Sequence, residues 1–158
     1  MESRGNLDSI QLPKYFDQDI TDLPEAAQKL TKRRWHEWIV ANNQWEKAVQ
    51  GYLASLSFAD DMIGELLAAL DNGPLADNTT VILWGDHGYH LGEKKHWEQF
   101  ALWENTTRVP LIIFSPQHTK PDTRCENPAS LLDLYPTLVE LCALKNLSLI
   151  HISEPTRL

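Results

Sequence analysis

The spacing of the apolar residues changes along the chain, and the longest regular stretch predicts a helix. Between Gln44 and Leu70, apolar side chains recur at intervals of three and four residues, which is typical of one face of an amphipathic helix. The pair Gly73 and Pro74 then supplies a helix stop and a turn. The apolar positions of this helix are Trp45, Val49, Tyr52, Leu53, Leu56, Ile63, Leu66, Leu67 and Leu70.

Two further helices are predicted, one on each side of the central part of the chain. The first begins at Pro24, because proline suits a first helical turn. Its sequence, EAAQKLTKRRWHEWIV, places an acid early and the basic residues 32–34 later, as the helix dipole favours. The second covers residues 128–144, where Pro136 marks a break or a new helix start.

Two short runs are almost continuously apolar and predict strands. Residues 79–84 read TTVILW, and residues 109–116 read VPLIIFSP. The first run has the pattern of a parallel strand that is covered on both faces. Because these strands alternate with helices, the predicted fold class is a layered α/β architecture.

Composition and charge narrow the range of partners. The 158 residues, 42% of them hydrophobic, suffice for one globular domain with a buried core. A formal net charge of -8 argues against nucleic acid or an anionic membrane as the main partner. No run approaches the roughly 20 apolar residues of a membrane span, so we expect no membrane-spanning helix. Cys125 and Cys142 are too few for a disulfide framework or a zinc cluster.

Candidate chemistry follows the first predicted strand, where the chain reads Gly85-Asp86-His87-Gly88. In open α/β sheets, ligands bind where parallel strands end. A carboxylate oxygen and an imidazole nitrogen can both bind a divalent cation, and flanking glycines let the backbone approach closely. Spacing alone does not separate such a metal site from a turn in which Asp86 caps the backbone.

Three blocks of sequence, in order, resemble the sulfatase family, particularly the branch that includes iduronate-2-sulfatase and many bacterial polysaccharide sulfatases. Residues 81–116 read VILWGDHGYHLGEKKHWEQFALWENTTRVPLIIFSP and carry the most specific part of the resemblance. Residues 52–71, YLASLSFADDMIGELLAALD, resemble the helix before the sulfatase strand, and residues 130–144, SLLDLYPTLVELCAL, resemble the segment after it. The resemblance covers residues 10–144.

The resemblance implies a partial alkaline-phosphatase-like α/β/α sandwich, in which Ca²⁺ positions and polarises a sulfate ester. Asp86 and His87 match the later pair of the family's metal ligands. The family nucleophile is a formylglycine made from a cysteine in a Cys-x-Pro/Ala-x-Arg motif. Neither Cys125 nor Cys142 lies in such a motif, so we expect the nucleophile outside this segment, which should be inactive alone.

One position departs from the family pattern. Where relatives have Trp-x-Lys, with the lysine reaching the sulfate, this chain has Trp97-Glu98-Gln99. Glutamine carries no positive charge and no proton to give at neutral pH. Lys95 is the candidate substitute, although neighbouring lysines in a loop are more often simply solvated. His96 and His90 are candidates for substrate binding, with packing or capping as the alternative.

The expected organisation is a partial sulfatase catalytic domain at residues 1–146. Residues 147–157 read LSLIHISEPTR, which is also the translation of a common transposon-end sequencing adapter. We therefore expect residues 147–158 to be an adapter-derived tail. The resemblance further implies a sulfated small molecule or glycan as substrate and a periplasmic, secreted or lysosomal location. It also places Arg108 just before the second strand, where pairing with Glu104 is its predicted role.

Two alternative functions stay open. A phosphodiesterase or phosphonate hydrolase of the same superfamily would share the Asp-His-Gly sequence at the strand end. A catalytically degenerate protein that binds sulfated glycans would account for Gln99. The nucleophile of the full-length protein separates the three: a cysteine motif for a sulfatase, threonine or serine for phosphoryl transfer, and neither for the binding protein.

Overall fold

The computed structural model of the protein describes residues 10–14, 16, 18–31 and 33–145. The described chain divides into two units, one ending at Lys120 and the other beginning at Pro121. The expected adapter-derived tail at residues 147–158 lies outside the described residues, so its assignment stays a prediction.

Among the residues described before the first strand, three α-helices are present: α1 at Glu25–Lys29, α2 at Arg33–Ala41 and α3 at Trp45–Asp71. Helix α3 confirms the long helix predicted from the three-and-four spacing. It ends where Asn72 donates its backbone N–H to the Ala68 carbonyl at 3.2 Å.

The helix predicted from Pro24 is divided into α1 and α2. After α1, the Thr31 hydroxyl donates to the Gln28 carbonyl at 2.7 Å, and the Thr31 backbone N–H reaches the same oxygen at 3.2 Å. Threonine side chains that bond to nearby carbonyls compete with the helical hydrogen-bond pattern. This local bonding accounts for the end of α1.

The two apolar runs form a two-stranded sheet of β1, Val81–Trp84, and β4, Leu111–Phe114. The strands are antiparallel, with Val81 opposite Phe114 and Trp84 opposite Leu111. The prediction of a parallel strand is wrong for this pair. A parallel pair requires the chain to cross over and re-enter the sheet in the same direction, whereas here the connection of residues 85–110, which contains further short elements, returns the chain so that β4 runs opposite to β1.

The prediction that β1 is covered on both faces is also wrong. Ile112 and Phe114 of β4 are 56% and 51% exposed, and Leu83 and Trp84 of β1 are exposed as well. A sheet of two strands offers too little packing surface to bury both of its faces. The combination of helices and short strands is compatible with part of an α/β fold.

Between β1 and β4 lies a second antiparallel pair, β2 at His90–Leu91 and β3 at Trp97–Glu98. One turn of 3₁₀ helix at Glu93–Lys95 connects β2 to β3, and the short helix α4 at Glu104–Thr107 precedes β4. Buried apolar side chains in the described residues include Ile39, Val49 and Trp97. The core of the first unit therefore draws on α2, α3 and β3.

The second unit contains a 3₁₀ turn at Leu131–Asp133 that leads into α5, Leu134–Leu141. Pro136 lies in the first turn of α5, where a missing backbone N–H costs no helical hydrogen bond. The prediction that Pro136 marks a new helix start is confirmed. In the ranges that the structure describes, no helix is both long enough and apolar enough to cross a membrane.

Candidate functional site

The loop after β1 is held against the chain segment that leads into β4. Gly85 donates its backbone N–H to the Pro110 carbonyl at 3.2 Å, and Gly88 donates to the Thr106 carbonyl at 2.9 Å. A Cβ atom on Gly88 would overlap the carbonyl oxygen of Asn105. Only glycine allows this close approach of two backbones, so the loop at residues 85–88 has a fixed position.

Asp86 and His87 lie in this loop with their side chains side by side. One carboxylate oxygen of Asp86, Oδ1, accepts the backbone N–H of His87 at 3.0 Å. The other, Oδ2, lies 3.6 Å from Nε2 of His87. The Asp86 side chain is 83% exposed and that of His87 is 43% exposed. The loop therefore presents one carboxylate oxygen and one imidazole nitrogen to the outside, close together.

The position of the His87 ring indicates which nitrogen can bind a ligand. Nδ1 lies 3.0 Å from the carbonyl oxygen of Gly88. A carbonyl oxygen only accepts hydrogen bonds, so the neutral ring that makes this contact carries its proton on Nδ1. Histidines that bind metals commonly donate their other ring N–H to a carbonyl in this way. Nε2 is then left with a lone pair next to Asp86 Oδ2.

This pair fits a divalent cation as part of a ligand set. Calcium forms bonds of about 2.3 to 2.6 Å to oxygen, and two atoms 3.6 Å apart lie within reach of one such ion. Within the described residues, no group of three or more His, Cys, Asp and Glu side chains is placed to hold a metal. Asp86 and His87 form a pair without a third such ligand among the described residues, and their assignment as metal ligands stays a prediction.

His90 and His96, predicted to bind substrate, lie together in the interior. They are 1% and 0% exposed. Their ring centroids are 5.1 Å apart in an edge-on arrangement, and the Trp103 ring lies 5.4 and 5.7 Å from them. In this conformation the two rings pack against Trp103 and do not face solvent. Substrate binding by His90 and His96 stays a prediction.

The surroundings of His90 favour its neutral form. Neither ring nitrogen has a hydrogen-bond partner. Burial lowers the pKa of His90 from 6.5, and Lys94 lowers it further. Glu93 acts in the opposite direction, with Oε2 at 3.8 Å from Nδ1, but that oxygen already accepts the backbone N–H of Leu91 at 2.7 Å. Desolvation of the charged imidazole is therefore the largest effect.

This environment predicts a pH dependence of stability. A lowered pKa means that the folded protein binds fewer protons than the unfolded chain below pH 6.5, so stability falls as the pH drops below that value. The slope from one group is at most about 1.4 kcal/mol per pH unit. Urea unfolding at several pH values measures it. We expect His90→Gln to reduce the slope of stability against pH. An unchanged slope in that variant would show that His90 is not the source of the pH dependence.

Lys95 and Gln99, the two residues predicted to lie at the sulfate, are in the segment after β2, and Lys94 is next to them. Lys94 is already engaged: its Nζ lies 3.0 Å from Asp19 Oδ1 and 5.7 Å from the centre of the Trp103 ring. Lys95 follows with a left-handed backbone, φ 54°, and donates its N–H to the Gly92 carbonyl at 3.1 Å. The backbone oxygen of Gln99 accepts the Ala101 N–H at 2.7 Å.

Two further contacts bear on the sequence predictions. Arg108 pairs with Glu104 at 2.9 Å, as predicted, and both side chains are exposed. The pair between Lys94 and Asp19 was not predicted, because the two residues are far apart in sequence and neither lies in a recognisable motif. The aromatic contacts of Trp45 with Trp97 were missed for the same reason.

An acid and a histidine thus lie side by side at the end of β1, in a segment of helices and short strands. Comparison with known proteins identifies the protein family. The sulfatase family model matches residues 11–143, and the chain belongs to the sulfatase family. This result confirms the resemblance found in the sequence.

Individual relatives agree with this assignment. A protein named sulfatase from Formosa agariphila is 41% identical over 142 residues, which cover 88% of this chain and 28% of that protein. Iduronate 2-sulfatase of Mus musculus is 41% identical over 75 residues, covering 48% of this chain and 14% of the relative. Choline-sulfatase of Rhizobium meliloti is 29% identical over 121 residues, covering 77% and 23%. The chain thus spans less than a third of the length of these relatives.

Proposed function

We propose that the full-length protein containing this chain hydrolyses sulfate esters of small alcohols or sugars. The observation that carries the proposal is the exposed pair of Asp86 and His87 at the end of β1, in a chain that matches the sulfatase family over residues 11–143. Two relatives are named for an iduronate sulfatase and a choline sulfatase activity, which supports a sulfate ester as the substrate class.

In this proposal Asp86 Oδ2 and His87 Nε2 help to hold one divalent cation, Ca²⁺ by analogy with the family. The bound cation would stabilise negative charge on the transferring sulfate group. The Gly88 carbonyl keeps the His87 proton on Nδ1 and so orients Nε2 as a ligand. The hydrogen bonds of Gly85 and Gly88 hold the pair in place while a substrate binds.

Positive charge beside the sulfate is the second requirement. Lys94 is paired with Asp19 and Arg108 with Glu104, so two of the nearby cations already have acidic partners. Lys95 is the proposed substitute for the family lysine, whose place is taken by Gln99. The nucleophile is proposed to be a formylglycine outside this chain, and a periplasmic, secreted or lysosomal location is part of the same proposal.

The decisive experiment is to recover the full-length gene, express it with a formylglycine-generating enzyme and assay two chromogenic esters. We expect hydrolysis of 4-nitrophenyl sulfate and a much slower reaction with bis(4-nitrophenyl) phosphate. A preference for the phosphodiester would overturn the proposal in favour of the phosphoryl-transfer alternative. Absence of turnover together with retention on a heparin column would favour the glycan-binding alternative, which Gln99 motivates.

A further inference from the structure

Trp45, the first residue of α3, is hydrogen-bonded to the last residue of β2 and lies against the turn that follows. Its indole Nε1 donates to the Leu91 carbonyl at 2.6 Å. The edge of the indole that carries Nε1 lies against Gly92, where a Cβ atom would come within 2.5 Å of Trp45 Cζ2. Gly92 has φ 117°, a conformation that residues with a Cβ rarely adopt. Trp45 and Gly92 therefore fit each other closely.

The segment that starts at this contact has an unusual backbone. Lys94 and Lys95 both have φ 54°, and Glu98 has φ 72°. Left-handed conformations are unfavourable for residues other than glycine, and they persist only where surrounding contacts impose them. The segment of residues 92–99, which carries Lys95 and Gln99, thus needs support from outside itself.

The rings around Trp45 supply that support. His36 of α2 lies edge-on to Trp45 with centroids 4.9 Å apart, and Trp97 of β3 lies 6.5 Å from Trp45. Trp97 also donates its indole N–H to Nδ1 of His36 at 3.4 Å. His36 and Trp97 are both buried. Contacts from α2 and α3 therefore reach the chain directly before the strained segment, at Leu91, and within it, at Trp97.

We propose that Trp45 is a positioning residue that holds the segment of residues 92–99 in its strained conformation and so sets where Lys95 and Gln99 lie. The effect on sulfate binding rests on the proposed function, whereas the role of Trp45 in holding the backbone of residues 92–99 does not. Trp45→Phe removes both the hydrogen bond to Leu91 and the indole atoms that lie nearest Gly92, while it keeps an aromatic ring at position 45, so it tests this contact.

Trypsin provides the first readout, because Lys94 and Lys95 are its cleavage sites inside the strained segment. In the full-length protein, Trp45→Phe is expected to speed cleavage at these lysines about three- to tenfold, the effect of losing one hydrogen bond. Cleavage at Lys29, an exposed residue of α1, serves as the internal reference for changes away from this contact. Trp38→Phe is the matched control, since Trp38 is 61% exposed on α2.

Kinetics with 4-nitrophenyl sulfate provide the second readout. We expect Trp45→Phe to lower kcat by a similar factor and leave KM nearly unchanged, because misplacing a charge that acts in the transition state affects kcat. Equal acceleration of cleavage at Lys94, Lys95 and Lys29 would overturn the positioning role. Selective cleavage in a protein that hydrolyses no sulfate ester would uphold the positioning role and reject the proposed function.

Discussion

Asp86→Asn is expected to lower kcat/KM for sulfate ester hydrolysis by the full-length protein about 10²- to 10³-fold, the size typical of losing one electrostatic contact in an active site. The substitution leaves shape almost unchanged. The amide oxygen can still accept the backbone N–H of His87, as Oδ1 does at 3.0 Å. The amide nitrogen, by contrast, has no lone pair to offer a cation, and the negative charge is gone.

Calcium titration of the same variant separates the metal role from other causes. We expect weaker Ca²⁺ binding by isothermal titration calorimetry for Asp86→Asn, with the loss partly recovered at high Ca²⁺ concentration. Asp77→Asn is a matched control, because Asp77 is an exposed acid in the 3₁₀ turn at Ala76–Asn78, before β1. If the two variants bind Ca²⁺ equally well, Asp86 is not a metal ligand.

Local sequence patterns predicted the elements of this chain well. The three-and-four spacing predicted α3, Trp45–Asp71, with both ends within one residue, and the apolar runs predicted β1 and β4. Pro136 marked the start of α5 correctly. These features depend on residues that are neighbours in sequence, where helix and strand periodicity act directly.

Relations between distant segments were less predictable. The pattern of residues 81–84 favoured a buried parallel strand, but direction and burial depend on which other strands lie beside it. The burial of His90 and His96 depends on Trp103, and the turn at Gly92 depends on Trp45, 47 positions earlier by numbering. No local period encodes such contacts, and polar residues in a loop are ordinarily exposed.

The candidate site also combines a part that neighbouring residues predict with a part that depends on distant contacts. The two proposed metal ligands, Asp86 and His87, are adjacent in sequence, and the structure places their side chains side by side. The cationic part is different, because Lys94 and Lys95 look equivalent in the sequence. The structure places Lys94 in an ion pair with Asp19. This partner comes from the N-terminal part of the chain, far from the loop in sequence.

Gln99→Lys is the second substitution with a large expected effect. It restores a positive charge at the position where the family has lysine, and we expect it to raise kcat/KM for 4-nitrophenyl sulfate about 10²-fold. The reason is that a cation fixed beside an anion in a water-poor site stabilises the charge that develops in the transition state, by about 2.7 to 4 kcal/mol for comparable donors. A neutral amide at Gln99 supplies hydrogen bonds but no such charge.

Lys95→Ala completes this experiment, because Lys95 is the proposed substitute in the natural protein. We expect Lys95→Ala to reduce activity in the presence of Gln99 and to have a much smaller effect in the Gln99→Lys background, where the restored lysine does the same work. Such non-additivity indicates that Lys95 and the residue at position 99 stabilise the same charge on the sulfate group. Lys94→Ala is the control, as its ion pair with Asp19 places it outside this role. Additive losses in the two backgrounds would show that Lys95 and position 99 contribute independently, against the substitution proposed here.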